Sequence, residues 1–159
     1  MRDRDVNITP SILDRLIDYE PNMSTEPPKS RLQNLRELKQ AVRRDIECLL
    51  NSRCFTYDLD ENLDELNASV AVYGLPDLTG VSAKDPSEQH RMTRSIENAI
   101  EIFEPRFINV RVSLEPVSNV DKQLKFRIEA SLNLEPTPEP VVFDTVLEMG
   151  SGNFAVIEK

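Results

Sequence analysis

The chain has 159 residues, of which 39% are apolar and 30% are charged, and its formal net charge is −9. This length suits one domain with a single core, and the composition is that of a folded globular protein rather than a fibrous or low-complexity one. The excess of acidic residues argues against nucleic acid as a partner, because a phosphate backbone repels such a chain.

The N-terminal region carries a short amphipathic pattern. Thr9-Pro10 has the form of a helix start, and Leu13, Leu16 and Ile17 recur at helical spacing, so the pattern predicts a helix over residues 10–18. Pro21, Pro27 and Pro28 predict that the segment after this helix is an irregular linker. A helix this short is unstable alone, so we expect it to dock on another surface.

The first long helix is predicted over residues 31–51. Ser30 and Gln33 form a capping box, in which each side chain bonds the backbone of the other residue. The apolar positions that follow recur every three or four residues. They are Leu32, Leu35, Leu38, Val42, Ile46 and Leu49.

Two further helices are predicted downstream. Apolar residues at helical spacing from Leu59 to Tyr73, followed by Gly74, predict a second and shorter helix. Asp85 is suited to cap a third helix over residues 86–103, whose first position is a proline.

The period then changes from helical spacing to a two-residue alternation. Residues 108–114 and 124–134 alternate apolar and polar side chains, which predicts two antiparallel strands with one solvated face. Residues 141–148 and 153–158 are two more candidate strands, joined by a hairpin turn at Gly150-Ser151-Gly152. The fold class is therefore α+β, with three helices packed on one face of a roughly four-stranded antiparallel sheet.

The order of these predicted elements divides the chain into two parts. Residues 1–29 are predicted to be an N-terminal docking segment, made of the short helix and a proline-rich linker. Residues 30–159 are predicted to form a single α+β domain.

Glu104-Pro105-Arg106 stands at the hinge between the third helix and the first strand. The proline fixes the backbone, so the glutamate and the arginine are held in a set relation. They are placed to pair with each other, as a structural corner, or to reach a neighbouring chain through charge-assisted hydrogen bonds.

Catalytic and metal chemistry find little support in the sequence. His90 is the single histidine and lies off the apolar stripe of its helix, where a solvent-facing role is favoured. Cys48 and Cys54 are six residues apart, beyond disulfide reach on one helix, and are expected to be reduced. We predict no catalytic residue, no metal site and no cofactor.

A basic stripe on the first long helix supports an alternative function. Arg36, Lys39 and Arg43 recur at helical spacing on an otherwise acidic chain. Such a stripe is either a solvated face or a surface for an acidic partner, so a generic adaptor is the alternative interpretation.

Several segments together resemble the TssE baseplate subunit of type VI secretion systems, a family similar to a wedge protein of contractile phage tails. They are Ser11 to Leu16, the helix from Arg36 to Asn51, the loop Tyr73-Gly74-Leu75-Pro76-Asp77-Leu78-Thr79-Gly80, the corner Phe103-Glu104-Pro105-Arg106, and the strand segments Phe126 to Ala130 and Phe143 to Thr145. The resemblance covers nearly the whole chain in order.

The resemblance implies a structural, non-enzymatic role. The subunit would join a wedge with TssF and TssG, near TssK, and would start the contractile sheath of TssB/TssC. Glu104, Pro105 and Arg106 match the family's partner-binding motif. The family was long labelled lysozyme-like, and a muramidase is the least favoured alternative, because no carboxylate pair stands out for that chemistry.

The expected location is the cytoplasm, in a baseplate docked at the inner-membrane complex. No apolar stretch approaches the roughly 18 residues that cross a bilayer. The N-terminus, Met1-Arg2-Asp3-Arg4-Asp5, lacks the form of an export signal. Direct membrane insertion is not expected.

Overall fold

A computed structural model of the chain describes residues 10–17, 21–22, 30–55, 62–77, 85–115, 123–148 and 151–158. The helices are α1 (Ile12–Leu16), α2 (Arg31–Asn51), α3 (Asp64–Asn67) and α4 (Pro86–Phe103), and a 3-10 turn covers Val70–Val72. The strands are β1 (Phe107–Leu114), β2 (Gln123–Leu132), β3 (Glu139–Glu148) and β4 (Phe154–Glu158). All four strands form one antiparallel sheet in chain order, so the predicted α+β class is confirmed.

Helix α2 begins and ends at the predicted residues. The Ser30 hydroxyl accepts a hydrogen bond from the Gln33 backbone N–H, and the Gln33 side chain accepts one from the Ser30 N–H, which completes the capping box. The first apolar residue of the predicted pattern, Leu32, is 77% exposed and lies outside the core. The buried positions are Leu38, Ala41, Val42, Ile46, Leu49 and Leu50.

Helix α4 also matches its predicted range. The Asp85 carboxylate accepts a hydrogen bond of 2.9 Å from the Ser87 N–H, and Pro86 takes the first helical position. Its core face is formed by Met92, Ile96, Ala99 and Ile100.

The second predicted helix is wrong as a continuous element. In its described part, the chain forms only the four-residue α3 and the 3-10 turn at Val70–Val72. Much of the apolar stripe has no core surface to cover it, since Leu63 is 48% exposed and Val70 is 89% exposed, although Tyr73 at its end packs against the core. Without that burial, helical spacing alone does not stabilise a helix of this length.

The core lies between the sheet and the two long helices. Inward side chains alternate along β2 as predicted, and also along β3, and Phe126, Ile128 and Phe143 are almost fully buried. In β1 the predicted alternation is interrupted by a register shift between Ile108 and Arg111. On the opposite face, Arg127 pairs with Glu115 and Asp144.

The N-terminal helix α1 is shorter than the predicted range and begins two residues later. Ser11, rather than Thr9, is its N-cap, and the Ser11 hydroxyl accepts from the Asp14 N–H. Of the predicted linker, residues 21–22 alone are described, so that prediction lies largely outside the described residues. No helix in the described part of the chain has the length and apolar character needed to span a membrane.

Side chains from the helices cover part of both sheet edges. Asn51 donates to the Phe154 carbonyl at 2.9 Å and accepts from the Phe154 N–H at 2.8 Å, in the manner of a neighbouring strand. Arg43 donates to the Val156 carbonyl at 3.4 Å, and on the other edge Glu97 accepts from the Val112 N–H at 3.0 Å. These contacts blunt edges that would otherwise pair with other chains.

Replacing Asn51 by alanine is expected to lower the free energy of unfolding by about 1–3 kcal/mol, because both polar groups of the buried Phe154 backbone lose their partner. Urea denaturation measures this loss. Asn153→Ala changes an exposed asparagine of the adjacent turn and is expected to cost less than about 0.5 kcal/mol. Equal losses of unfolding free energy in Asn51→Ala and Asn153→Ala would contradict the role of Asn51 in covering the edge of β4.

Candidate interaction site

The sharp corner between α4 and β1 is built from Glu104, Pro105 and Arg106. Glu104 caps the C-terminus of α4 through its N–H, which bonds the Ile100 carbonyl. The Glu104 carbonyl in turn accepts from the Phe107 N–H at 3.0 Å, which turns the chain into β1. Pro105 is exposed at the tip. The predicted hinge therefore stands where the sequence places it.

The two charged residues of the corner pair with each other. Arg106 donates from Nε and Nη2 to Oε2 of Glu104, at 3.0 and 2.6 Å. Glu104 is 8% exposed as a residue, whereas the Arg106 side chain keeps 27% of its exposure. The glutamate is thus the inner member of the pair and the arginine the outer one.

A third residue completes the corner. Arg106 Nη2 also donates to Oδ2 of Asp45, on α2, at 2.8 Å. The Nη1 atom of Arg106 is buried and has no hydrogen-bond partner among the described residues. Arg106 is therefore fixed by one carboxylate from its own hinge and one from a helix 61 positions away in sequence.

Burial and pairing act in opposite directions on these groups. Burial raises the pKa of Glu104, and the nearby Arg106 guanidinium offsets this effect only in part. Burial lowers the pKa of Arg106, but its hydrogen bonds to Asp45 and Glu104 outweigh this and raise the pKa overall. The arginine is thus held firmly in its charged form.

The ion pairs continue from the corner to the N-terminal helix. Arg44 donates to Oδ1 of Asp45 from Nε and Nη2, at 3.0 and 2.8 Å. The same guanidinium reaches Oδ1 of Asp14, on α1, at 2.9 Å. Sequence reasoning did not single out Asp14 or Asp45, because nothing in the spacing of acidic residues marks those that meet a distant arginine.

An aromatic pair lies beside the corner. The rings of Tyr73 and Phe103 meet edge to face with centroids 5.1 Å apart. Burial raises the pKa of Tyr73 to about 12, with contributions from Cys48, Glu104 and Asp45. The Tyr-Gly-Leu-Pro-Asp loop therefore lies against the corner. Both segments carry the family resemblance, and the fold brings them together although they are far apart in sequence.

The apolar side of α1 faces outward. None of its residues is buried, and Ile12, Leu13 and Leu16 are 77%, 54% and 76% exposed. The helix contacts the body of the protein through its polar residue Asp14 instead. The apolar residues that were expected to dock are therefore free of the core in this chain.

The basic stripe of α2 takes part in packing. Lys39 pairs with Glu139 of β3 at 3.0 Å, and Arg43 reaches the Val156 carbonyl of β4. Arg36 is exposed. Two of the three cations thus hold α2 to the sheet, which weakens the case for a stripe reserved for an acidic partner.

The other candidates remain dispersed. His90 is exposed on α4, and Cys48 and Cys54 are free thiols. Among the described residues, no group of three or more histidine, cysteine or acidic side chains is arranged to hold a metal ion.

Comparison with known protein families matches the chain to the baseplate wedge protein gp25 family, over residues 36–137. This range is more than half of the chain. The chain belongs to this family. The resemblance to TssE-like baseplate wedge proteins that the sequence suggested is thereby confirmed.

The matched range starts within α2 and ends between β2 and β3, so it includes the corner and Asp45 but not α1, β3 or β4. No curated protein matches the chain. Among solved structures, a similar chain comes from "The baseplate complex from the type VI secretion system". That chain is 14% identical with a TM-score of 0.49, and the alignment covers 70% of this chain and 94% of the other.

Proposed function

We propose that this wedge-family protein is a structural subunit of a type VI secretion baseplate, working without catalysis or a cofactor. The observation that carries the proposal is the Glu104-Pro105-Arg106 corner, which lies inside the family match and ends in an exposed tip. The expected location is the cytoplasm, where the baseplate docks at the inner-membrane complex. Its partners in the wedge are TssF and TssG, with TssK nearby.

Within the corner, the three residues take different parts. Glu104 is the inner, buried residue that orients Arg106, so it acts on a partner indirectly. Pro105 and the outer part of Arg106 are the portions that a neighbouring chain reaches. An arginine that is already fixed by two carboxylates loses little freedom on binding, which favours affinity.

Sheath initiation is the second part of the proposal. The edge strands β1 and β4 carry backbone groups that a strand of TssB/TssC extends by β-augmentation. Asn51, Arg43 and Glu97 cover part of these edges, so an added strand pairs beside these side chains or displaces them.

The test is co-expression with the candidate wedge subunits, followed by mass measurement of the purified complex and titration of its affinity. Arg106→Lys keeps the charge beside Glu104 but loses the planar guanidinium fork. We expect it to melt near the wild-type temperature and to bind the wedge at least about ten-fold more weakly, the lower end for loss of a hydrogen bond to a charged group.

Arg127→Lys is the matched control, because Arg127 is also paired with two carboxylates but lies on the outer face of the sheet. A folded Arg106→Lys protein that assembles with wild-type affinity contradicts the site assignment. Recovery of the wild-type chain as a lone folded monomer beside its wedge subunits contradicts the proposed function itself. Clearing of a peptidoglycan suspension by the pure protein would contradict the non-enzymatic role.

A further inference from the structure

Five charged side chains alternate in sign from α1 to the corner, and we call them the charge relay: Asp14, Arg44, Asp45, Arg106 and Glu104. Successive members are joined by hydrogen-bonded ion pairs whose shortest distances are 2.9, 2.8, 2.8 and 2.6 Å. The relay crosses three separate elements, α1, α2 and the hinge before β1. It therefore links the N-terminal segment to the corner through side chains alone.

Asp45 is the central member of the charge relay. Its Oδ1 atom accepts from Arg44, and its Oδ2 atom accepts from Arg106. A rotation of this carboxylate that favours one arginine weakens the bond to the other. Asp45 therefore transmits a change on either side, as shared members of polar networks do.

Helix α1 depends on the relay for its position. It has five residues, none of them buried, and a helix this short does not persist on its own. Asp14 takes part in both the capping and the position of α1. Its N–H donates to the Ser11 side chain that caps the helix, and its carboxylate pairs with Arg44. Loss of the bond to Arg44 thus removes an ion pair that orients the exposed Ile12 and Leu16.

We propose that Asp45 is a positioning residue that couples α1 to the Glu104-Pro105-Arg106 corner, so that both form one composite surface for a single wedge partner. Binding at the corner holds Arg106, which fixes Asp45 and then Arg44, and so stabilises docked α1. By reciprocity, a partner that holds α1 strengthens binding at the corner by the same factor. The partner part of this inference rests on the proposed function, whereas the coupling is a property of the free subunit.

The first test uses the free, full-length subunit and NMR. Asp14→Asn changes the relay at α1, and the side-chain Nε–H resonance of Arg106 is read at the other end. Glu104→Gln changes the relay at the corner, and the backbone amides of Leu13 and Ile17 are read. We expect each substitution to shift the distant resonances, and Asp45→Asn to lower the ratio of docked to undocked α1 by roughly two- to tenfold.

Asp144→Asn is the matched control, because it converts a carboxylate that accepts from Arg127 on the outer face of the sheet. We expect it to leave both sets of resonances at their wild-type positions. If Asp14→Asn moves α1 but leaves the Arg106 Nε–H unchanged, the coupling is overturned. If Asp45→Asn fails to fold, Arg44→Gln replaces it in the same NMR measurement, because the Arg44 side chain is 39% exposed.

The second test measures affinity for the purified wedge subunits in a double-mutant cycle of Arg44→Gln and Arg106→Lys. Coupling predicts that the combined loss differs from the product of the single losses by at least about two-fold. Strictly multiplicative losses overturn the composite surface. Failure of Arg106→Lys to weaken assembly overturns the corner as a partner site, and the NMR result then still decides the internal coupling.

Discussion

Replacing Gly74 by alanine is expected to lower the free energy of unfolding by about 2–5 kcal/mol. Gly74 has φ +110°, a conformation that L-residues avoid at a cost of about 1–2 kcal/mol. A Cβ there would lie 2.5 Å from the Ser52 carbonyl oxygen and 2.6 Å from its carbon. Those atoms belong to the backbone at the end of α2, so relief requires moving the helix end, at about 1–3 kcal/mol more.

The close approach of Gly74 to the Ser52 backbone accompanies two backbone hydrogen bonds between the loop and the end of α2. The Leu75 N–H donates to the same Ser52 carbonyl at 2.9 Å, and the Cys54 N–H donates to the Leu75 carbonyl at 3.1 Å. The loop after the 3-10 turn is thereby tied to the end of α2, and Leu75 is fully buried. Displacing Gly74 by even a few tenths of an ångström strains both bonds.

Gly152→Ala is the control for this prediction. Gly152 also has a positive φ, +71°, but a Cβ there would meet only Nη2 of Arg53, at 3.2 Å. Because that atom ends a flexible side chain, we expect a loss of about 1 kcal/mol, due to the backbone conformation alone. Guanidinium denaturation compares the two variants, and losses of equal size would show that the contact with Ser52 adds nothing.

Arg106→Met is expected to lower the free energy of unfolding of the isolated subunit by about 3 kcal/mol near neutral pH. The substitution leaves Glu104 buried and charged without its partner, and removing one member of a buried pair typically costs about 3–5 kcal/mol. The lower end applies because the Arg106 side chain is partly exposed. Chemical denaturation at a series of pH values measures the loss.

The loss is expected to depend on pH in a definite direction. Burial already raises the pKa of Glu104 above its ordinary value near 4.5, and the variant lacks the guanidinium that opposes this rise. A carboxyl group with a raised pKa binds more protons in the folded state, so stability falls as pH rises through the window above the ordinary value. The difference between wild type and variant therefore grows with pH from a small value in acid.

A double variant isolates this effect. In Glu104→Gln with Arg106→Met, the titrating group is absent, and we expect most of the growth with pH to disappear. A stability difference between Arg106→Met and wild type that stays constant from acid to neutral pH would contradict the assignment of the cost to ionised Glu104. It would point instead to lost packing by the arginine stem.

Local signals in the sequence determined the two long helices. The capping box at Ser30 and Gln33 and the Asp85-Pro86 start act within one turn, so α2 and α4 begin at the predicted residues. Alternation likewise located β1 and β2, because the two-residue period follows from the pleat itself. The order of helices before strands was then enough for the α+β class.

The same reasoning failed where tertiary contacts decide. The pattern from Leu59 to Tyr73 has helical spacing, but Leu63 and Val70 have no core surface to cover them, and Tyr73 alone of these three described residues packs against the core. Leu32 has the right spacing in α2 and is still 77% exposed. Periodicity indicates which face of an element is apolar, whereas burial depends on what the fold places opposite that face.

The Glu104-Pro105-Arg106 corner shows most clearly which features the sequence determines and which depend on the tertiary structure. The sequence by itself determined that Glu104, Pro105 and Arg106 lie at the hinge and that the two charges are close, because proline and the helix end fix the local backbone. Only the tertiary structure decided that Asp45 shares Arg106 with Glu104 and that Arg44 extends the contact to Asp14 on α1. These residues meet because α2 packs beside the hinge, and the spacing of charges along a chain carries no record of such packing.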